Sequence, residues 1–191
     1  MYPIMQKILL RENKIDRNRE HLWTISLDTA NKILNIELVS MGSIRKTIAE
    51  PMEVFSVPLQ KRAVCIILVH NHPSGEIKPS DSDKTLTDQL IQCGLILHVP
   101  VLDHLIITEK SYFSFADSGL MEELLNSTKY VPTYKLKEAL KKQVEEEVRK
   151  SEREQQAKQM AKAMKQNGVS TEIIATVTGL TKQAIQRIKI N

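Results

Sequence analysis

The sequence predicts an α/β fold, a mixed sheet flanked by helices, followed by an all-α extension at the C-terminus. Three observations predict it. Residues 22–27 and 32–40 read as two strands around the turn-rich Asp28-Thr29-Ala30-Asn31, the pattern of a β-hairpin. Ala63-Val64-Cys65-Ile66-Ile67-Leu68-Val69 is short, apolar and rich in branched side chains, the mark of a buried strand. From residue 135 onward, strong helix formers and charged residues replace strand-like sequence. Strands and helices mix without a repeated βαβ period, so the sheet should be mixed and not wholly parallel.

Taken in order, residues 6–14 are a short helical candidate leading into Glu20, and the hairpin follows until Met41-Gly42-Ser43 ends it. Pro51 suits the first turn of a helix with Met52 and Phe55 on one face, and Pro58 should end or kink that helix near Val57. After the apolar strand, a helix over about residues 81–93 carries Leu86, Leu90 and Ile91 inward. Strands over 101–108 and 112–115 finish the sheet. The character changes near Ser118-Gly119, which divides the chain into a domain over 1–118, a linker over 119–134, a charged helix over 135–166 and a small helix-turn-helix-like hairpin over 167–191.

Within that extension, Leu136, Leu140, Val144 and Val148 recur every four residues, while 149–158 is almost all polar and should cross solvent. No heptad is sustained, which argues against a coiled coil. Asn167-Gly168 stops the long helix. Ser170 can cap the next, with Ile173, Ile174 and Val177 on one side; Gly179 ends it, and Thr181 can cap a last helix with Ala184, Ile185 and Ile188 apolar. Lys182, Gln183, Gln186, Arg187 and Lys189 on that last helix could face phosphates or base edges of a nucleic acid. The bland alternative is a helical hairpin that docks on the protein or a partner.

Charge separates the two parts. Residues 135–191 hold thirteen Lys or Arg and seven Glu, a balance of +6, whereas 1–134 hold fourteen basic and sixteen acidic residues, a balance of −2. The net +4 of the chain therefore belongs to the tail. Aromatic residues are 4% of the chain, so aliphatic side chains must supply the core. Cys65 and Cys93 are isolated, as expected of thiols in a reducing, cytoplasmic setting. No secretory signal and no bilayer-length apolar run is evident, so a membrane role is not expected. The oligomeric state is not written in the sequence.

The strand over 64–69 ends in His70-Asn71-His72-Pro73-Ser74-Gly75, with Ser80 and Asp83 following. In an extended chain, residues i and i+2 share a face, so His70 and His72 leave the strand side by side, able to hold one ion. Asp83 completes a two-histidine, one-carboxylate set with a position left for water, the arrangement of catalytic rather than structural zinc. The same residues have simpler readings: Ser80 can cap a helix with Asp83 in its first turn, and Pro73-Ser74-Gly75 can be a turn. A turn needs no histidines, however, and a cap does not explain polar groups placed directly after a buried strand.

The spacing His-x-His-Pro, six residues, Ser, two residues, Asp resembles the JAMM metal signature of MPN-type metallohydrolases, at His70, His72, Pro73, Ser80 and Asp83. More narrowly, His-Asn-His-Pro-Ser-Gly, then Pro79-Ser80-x-x-Asp83, Thr87, Leu90, Gly94 and Leu102-Asp103-His104 resembles the RadC family, over about residues 7–115. That family is named for DNA repair, a name that defines no activity. The resemblance implies an MPN/cytidine-deaminase-like α/β fold, Zn2+ held by His70, His72 and Asp83, and Ser80 beside the reacting oxygen. It also implies a glutamate base at the start of an early strand. Glu20, heading the segment over 20–27, fits that place; Glu37, in Ile36-Glu37-Leu38-Val39, is the rival. RadC-like chains often carry a helix-hairpin-helix segment ahead of this region, and this sequence starts too late to include one.

Asn71 and Ser74 are expected to hold the ligands in place from behind. Asp103 and His104 form a polar pair inside an apolar strand, costly unless satisfied, with a structural or supporting role set against direct catalysis. His21 and His98 carry no motif and read as surface or partly buried histidines. The leading functional reading is a zinc-dependent hydrolase of JAMM type, a peptidase or isopeptidase acting on a peptide or protein. A second is a DNA-associated repair or recombination accessory protein that binds nucleic acid through residues 135–191, and a third is an interaction module with an inactive site. Zinc deaminases are disfavoured, because they need His-x-Glu and a Pro-Cys-x-x-Cys, and neither is present.

Overall fold

The computed structural model of the chain describes residues 1–42 and 49–189, so Ser43 lies outside the described residues. Two compact units are present, Met1–Val131 and Pro132–Asn191. The first opens with α1 (Tyr2–Arg11) and α2 (Lys14–Arg17). These two helices replace the single helix expected over 6–14. Asn13 interrupts it, because its side-chain oxygen accepts from Ile15 N and Asp16 N and so caps a new helix.

Asp28 builds the hairpin. Its Oδ1 accepts from Ala30 N and Lys32 N, each at 2.8 Å, and joins β1 (His21–Leu27) to β2 (Ile33–Met41). Then come α3 (Pro51–Gln60), β3 (Cys65–Asn71), α4 (Asp81–Leu97), β4 (Val101–Ile107), β5 (Tyr112–Ser114) and α5 (Leu120–Leu125). The strands form one five-stranded sheet in the order β2-β1-β3-β4-β5. Only β3 and β4 run parallel, joined through α4; the other pairs are antiparallel. The sheet is mixed, as expected.

Every residue of β1 is buried, because apolar clusters cover both faces of the sheet. On one face Ile66, Leu68 and Ile106 pack against Val54 and Phe55 of α3, Leu90 and Ile91 of α4, and Phe115. On the other, Cys65, Val69, Trp23 and Ile25 pack against Met5 and Leu9 of α1. Strand alternation therefore sends His70, in step with Ile66 and Leu68, to the α3–α4 side. Cys65 and Cys93 are both free thiols.

Three elements depart from expectation. Helix α3 does not end at Val57 but runs on to Gln60 with Pro58 inside it, where burial of Pro58 along with Val54 and Phe55 offsets the one backbone donor the proline lacks. Helix α4 continues to Leu97, past Cys93, until His98 turns left-handed (φ 57°) and caps it. The segment 119–134, expected as a linker, contains α5, whose Met121 and Leu124 join the core.

In the second unit, α6 (Thr133–Gln166) is followed by α7 (Thr171–Thr178) and α8 (Lys182–Arg187). Leu136, Leu140, Val144 and Val148 of α6 are exposed. Its last turns instead join α7 and α8 around Ala161, Ile174 and Ile185. No helix among the described residues is long and apolar enough to cross a membrane.

Candidate metal centre

β3 delivers both histidines to one point. His70 is in the strand, and His72 lies one step beyond it with its N–H still bonded to Ile107 O at 3.0 Å. Their Nε2 atoms are 2.8 Å apart. The first turn of α4 brings Asp83 to the same place, with Oδ1 3.4 Å from His70 Nε2 and Oδ2 3.5 Å from His72 Nε2. The three ligand atoms all lie within 4.8 Å of one another.

The protons can be assigned by starting from groups that only accept. Thr87 Oγ1 donates to the Asp83 carbonyl at 2.5 Å, so it must accept from His104 Nδ1, 2.7 Å away. His104 Nε2 is then an acceptor, and the His70 Nδ1–H, 2.8 Å from it, is the donor. His72 Nδ1 likewise donates to Glu76 O at 2.7 Å. In its neutral form each ring therefore keeps its Nε2 lone pair for the point where the two meet Asp83. Two neutral rings 2.8 Å apart at Nε2 are held there by a shared cation, either a proton on His72 or a metal ion that replaces it. A tetrahedral zinc with bonds of about 2.0–2.1 Å sets its nitrogen donors about 3.3 Å apart, and the separations here bracket that value. The donor set fits zinc.

Electrostatics prepares the same set. Burial pushes His70 down to about 4, against the pull of Asp83, and holds His104 well below the ordinary histidine value. Burial lowers His72 as well, but its hydrogen bonds to Asp83 and Glu76 O, with the charges of Asp83 and Glu20, outweigh that and leave it raised. Burial would raise Asp83, yet its bond to His72, the charge of His70 and the bonds from Ser80 hold it well below the usual carboxylate range. Asp83 is therefore a ready anionic ligand.

Ser80 and Asp83 also form a capping box at the start of α4. Asp83 Oδ2 accepts from Ser80 N at 2.7 Å and from Ser80 Oγ at 2.6 Å, while Ser80 Oγ accepts from Asp83 N. The cap and the ligand are one device: closing the helix end fixes the carboxylate.

Glu20, His70, His72, Ser80, Asp83 and Gln89 line a cleft of about 850 Å3. Glu20 directly precedes β1 and is half-buried. Asn71, between the two histidines, clamps the backbone on either side of it: Oδ1 accepts from His21 N at 2.7 Å, and Nδ2 donates to Arg19 O at 3.0 Å. The rival Glu37 sits mid-strand on β2, where Asn35 Nδ2 donates to its Oε2 at 3.4 Å. Ser74 accepts from Glu76 N at 3.3 Å and so shapes the turn that holds His72; Gly75 completes it at φ 82°, where a side chain would be strained.

Asp103 stands apart from its neighbour His104. Its carboxylate accepts from His104 N, Ala116 N and Ser114 Oγ, fixing the β4–β5 corner. Thr87 holds His104 and the Asp83 carbonyl together, a role that sequence alone does not assign, although its place four residues after Asp83 sets both on one helix face. His21, expected at the surface or partly buried, is fully buried because β1 is covered on both faces; its Nδ1 meets Arg19 O at 2.9 Å and its ring stacks on Trp23. His98 is exposed at the end of α4. Lys182, Gln183, Gln186, Arg187 and Lys189 are all exposed, on or just after α8 in the second unit.

Known proteins share this first unit. A family model described as "RadC-like JAB domain" matches residues 3–120. A UPF0758 protein of Pelodictyon phaeoclathratiforme is 43% identical over 106 residues, 56% of this chain and 48% of that protein. One from Clostridium acetobutylicum is 42% identical over 113 residues, 59% and 49% of the two chains, and one from Moorella thermoacetica 44% over 104 residues, 54% and 45%. The chain spans about half the length of the relatives it matches. With a mixed five-stranded sheet flanked by helices, a C-terminal helical region and a His-His-Asp group that could hold a metal, the chain belongs to the RadC-like JAB domain family of the MPN superfamily.

Proposed function

We propose that the protein is a zinc-dependent hydrolase of JAMM type that cleaves an amide bond in a peptide or protein. The observation that carries this reading is the convergence of His70 Nε2, His72 Nε2 and the Asp83 carboxylate within 4.8 Å of one another, in a cleft that Glu20 also lines. JAB domains are often hydrolytic, and the preference for an amide bond rests on that kinship. A bound zinc ion would supply Lewis-acid polarisation and lower the pKa of its water to about 7. His70, His72 and Asp83 would hold it. Glu20 takes the proton of the attacking water and delivers it to the leaving nitrogen. Ser80, once its hydroxyl turns away from Asp83, donates to the oxyanion on the attacked carbonyl, a contact whose loss typically costs about 3–4 kcal/mol.

Elemental analysis and a peptidase screen test the proposal together. Wild type should carry zinc and turn over a peptide substrate, and His70→Ala should do neither. Glu20→Gln should keep the metal while turnover falls by about 100-fold or more. Carefully prepared wild type without zinc would count decisively against the hydrolase. Full activity in Glu20→Gln would remove Glu20 from the reaction.

A further inference from the structure

The second unit carries its own folded device. Between residues 155 and 189 there are six Lys or Arg and one acid, Glu172, which pairs with Lys182 at 2.9 Å. Helices α7 and α8 are joined by three residues. Gly179 ends α7 in a left-handed conformation (φ 70°), Leu180 turns into the small core, and Thr181 Oγ1 caps α8 by accepting from Ala184 N at 3.2 Å. The last turns of α6 supply a third helix, packing Ala161 against Ile174 and Ile185. Lys165 on α6 closes the other end of α8, its Nζ donating to Ile185 O, Gln186 O and Ile188 O at 2.9–3.2 Å. Two helices set by a short glycine-containing turn and braced by a third are the architecture of a helix-turn-helix.

The outer side of α8 says what such a device would hold. The helix packs through Ile185, with Ile188 just beyond it, and shows Gln183, Gln186 and Arg187 on its exposed side, with Lys182 at its start and Lys189 two residues past its end. A helix that docks in a protein groove presents apolar anchors at helical spacing. This one presents amides and cations. Glutamine pairs bidentately with adenine and arginine with guanine in the major groove, and lysines neutralise phosphates. The deep, narrow major groove of duplex RNA would exclude the same helix. We propose that the C-terminal unit binds duplex DNA with α8 in the major groove, Gln183, Gln186 and Arg187 at base edges, and Lys182 and Lys189 at phosphates. The proposal is independent of the metal centre.

The test uses the full chain and a randomised duplex DNA pool about three helical turns long, followed by fluorescence anisotropy on the enriched sequences. Selection should enrich a common motif, and binding should weaken as salt rises. Gln186→Ala with Arg187→Ala should weaken binding to the enriched duplex by about tenfold or more, with zinc content and helical circular dichroism unchanged. Lys142→Ala with Lys150→Ala, two exposed cations on the earlier part of α6, should leave it unchanged. If the alanine pair disturbs folding, Arg187→Lys keeps the charge, loses the two-pronged donor and should still relax the sequence preference. No duplex binding at low salt, enrichment of no sequence, equal loss in both double variants, or tighter binding to single-stranded RNA overturns the proposal.

Discussion

His104 decides which way His70 faces. It is fully buried, and the hydrogen bonds from His70 through His104 and Thr87 to the Asp83 carbonyl run in one direction only. The His70 ring and the backbone of Asp83 are thereby tied through a residue outside the His70-His72-Asp83 group. His104→Phe keeps an aromatic ring beside Phe115 but removes the acceptor, and zinc affinity should fall about 10–100-fold. Competition with a chelating dye measures this, and unchanged affinity would show that His70 is oriented by something else. The same burial gives the metal-free protein an acid weakness. His70 takes up a proton near 6.5 when unfolded but only near 4 when folded, so the unfolded state binds more protons in between. Its contribution, on the order of 3 kcal/mol, is complete above 6.5 and is lost as pH falls toward 4. His104 acts in the same sense. His72, being raised, works oppositely: its contribution is present at low pH and lost as pH rises through its folded value. Asp83 matters only below the carboxylate range. Two effects against one make the chelated protein less stable at about pH 4.5 than at pH 7, and urea midpoints at the two values measure the difference. Equal midpoints would mean that His70 is already charged in the fold.

At the scale of elements, α4 carries the most, because it holds Asp83 and Thr87 at one end and must pass close to other backbone at the other. Gly94 makes that passage possible: a Cβ there would stand 2.6 Å from Val99 O and 3.3 Å from Phe55 Cζ. Gly94→Ala should therefore destabilise the first unit by about 1–3 kcal/mol, since backbone has to move. Thermal unfolding reads this directly, and an unshifted melting temperature would show that the Val99 loop yields freely. What could be read from sequence follows the same division between local and distant causes. The strands, the hairpin turn and the pairing of His70 with His72 are written in periods of two, which the chain states locally. The end of α4 is not, because Gly94 and the left-handed His98 serve a close approach to Val99 that only the fold creates. α5 is six residues long and owes its burial to a core made by distant strands. The His-His-Asp group that could hold a metal was readable because its motif spans only fourteen residues, His70 to Asp83. The clamp on Glu20 was not, because Asn71 reaches residues 50 and 52 positions away. Likewise the burial of His21 depends on the sheet order, which places β1 between β2 and β3.

On the scale of the whole molecule, the apolar clusters divide as the charges do. Two clusters lie within residues 2–124, where the family match also falls, and a third, centred on Ala161, Ile174 and Ile185, lies within the basic C-terminal unit. A core of that size is near the lower limit for independent folding, roughly 40 residues without metals or disulfides. Removing one of its three fully buried side chains should be enough to undo it: Ile174→Ala typically costs about 2–5 kcal/mol, comparable to all that so small a unit can possess. The first unit should not notice. Calorimetry of the full chain is then expected to show two transitions with separate sensitivities. Chelation should lower only the one that belongs to the zinc site, by about 4 kcal/mol if the ion was present at a thousand times its dissociation constant. Ile174→Ala should abolish only the other, together with duplex DNA binding, and leave zinc content and hydrolysis intact. A single transition that shifts with both treatments would mean that the two units fold as one cooperative body, and that neither the metal centre nor the helix-turn-helix can be varied alone.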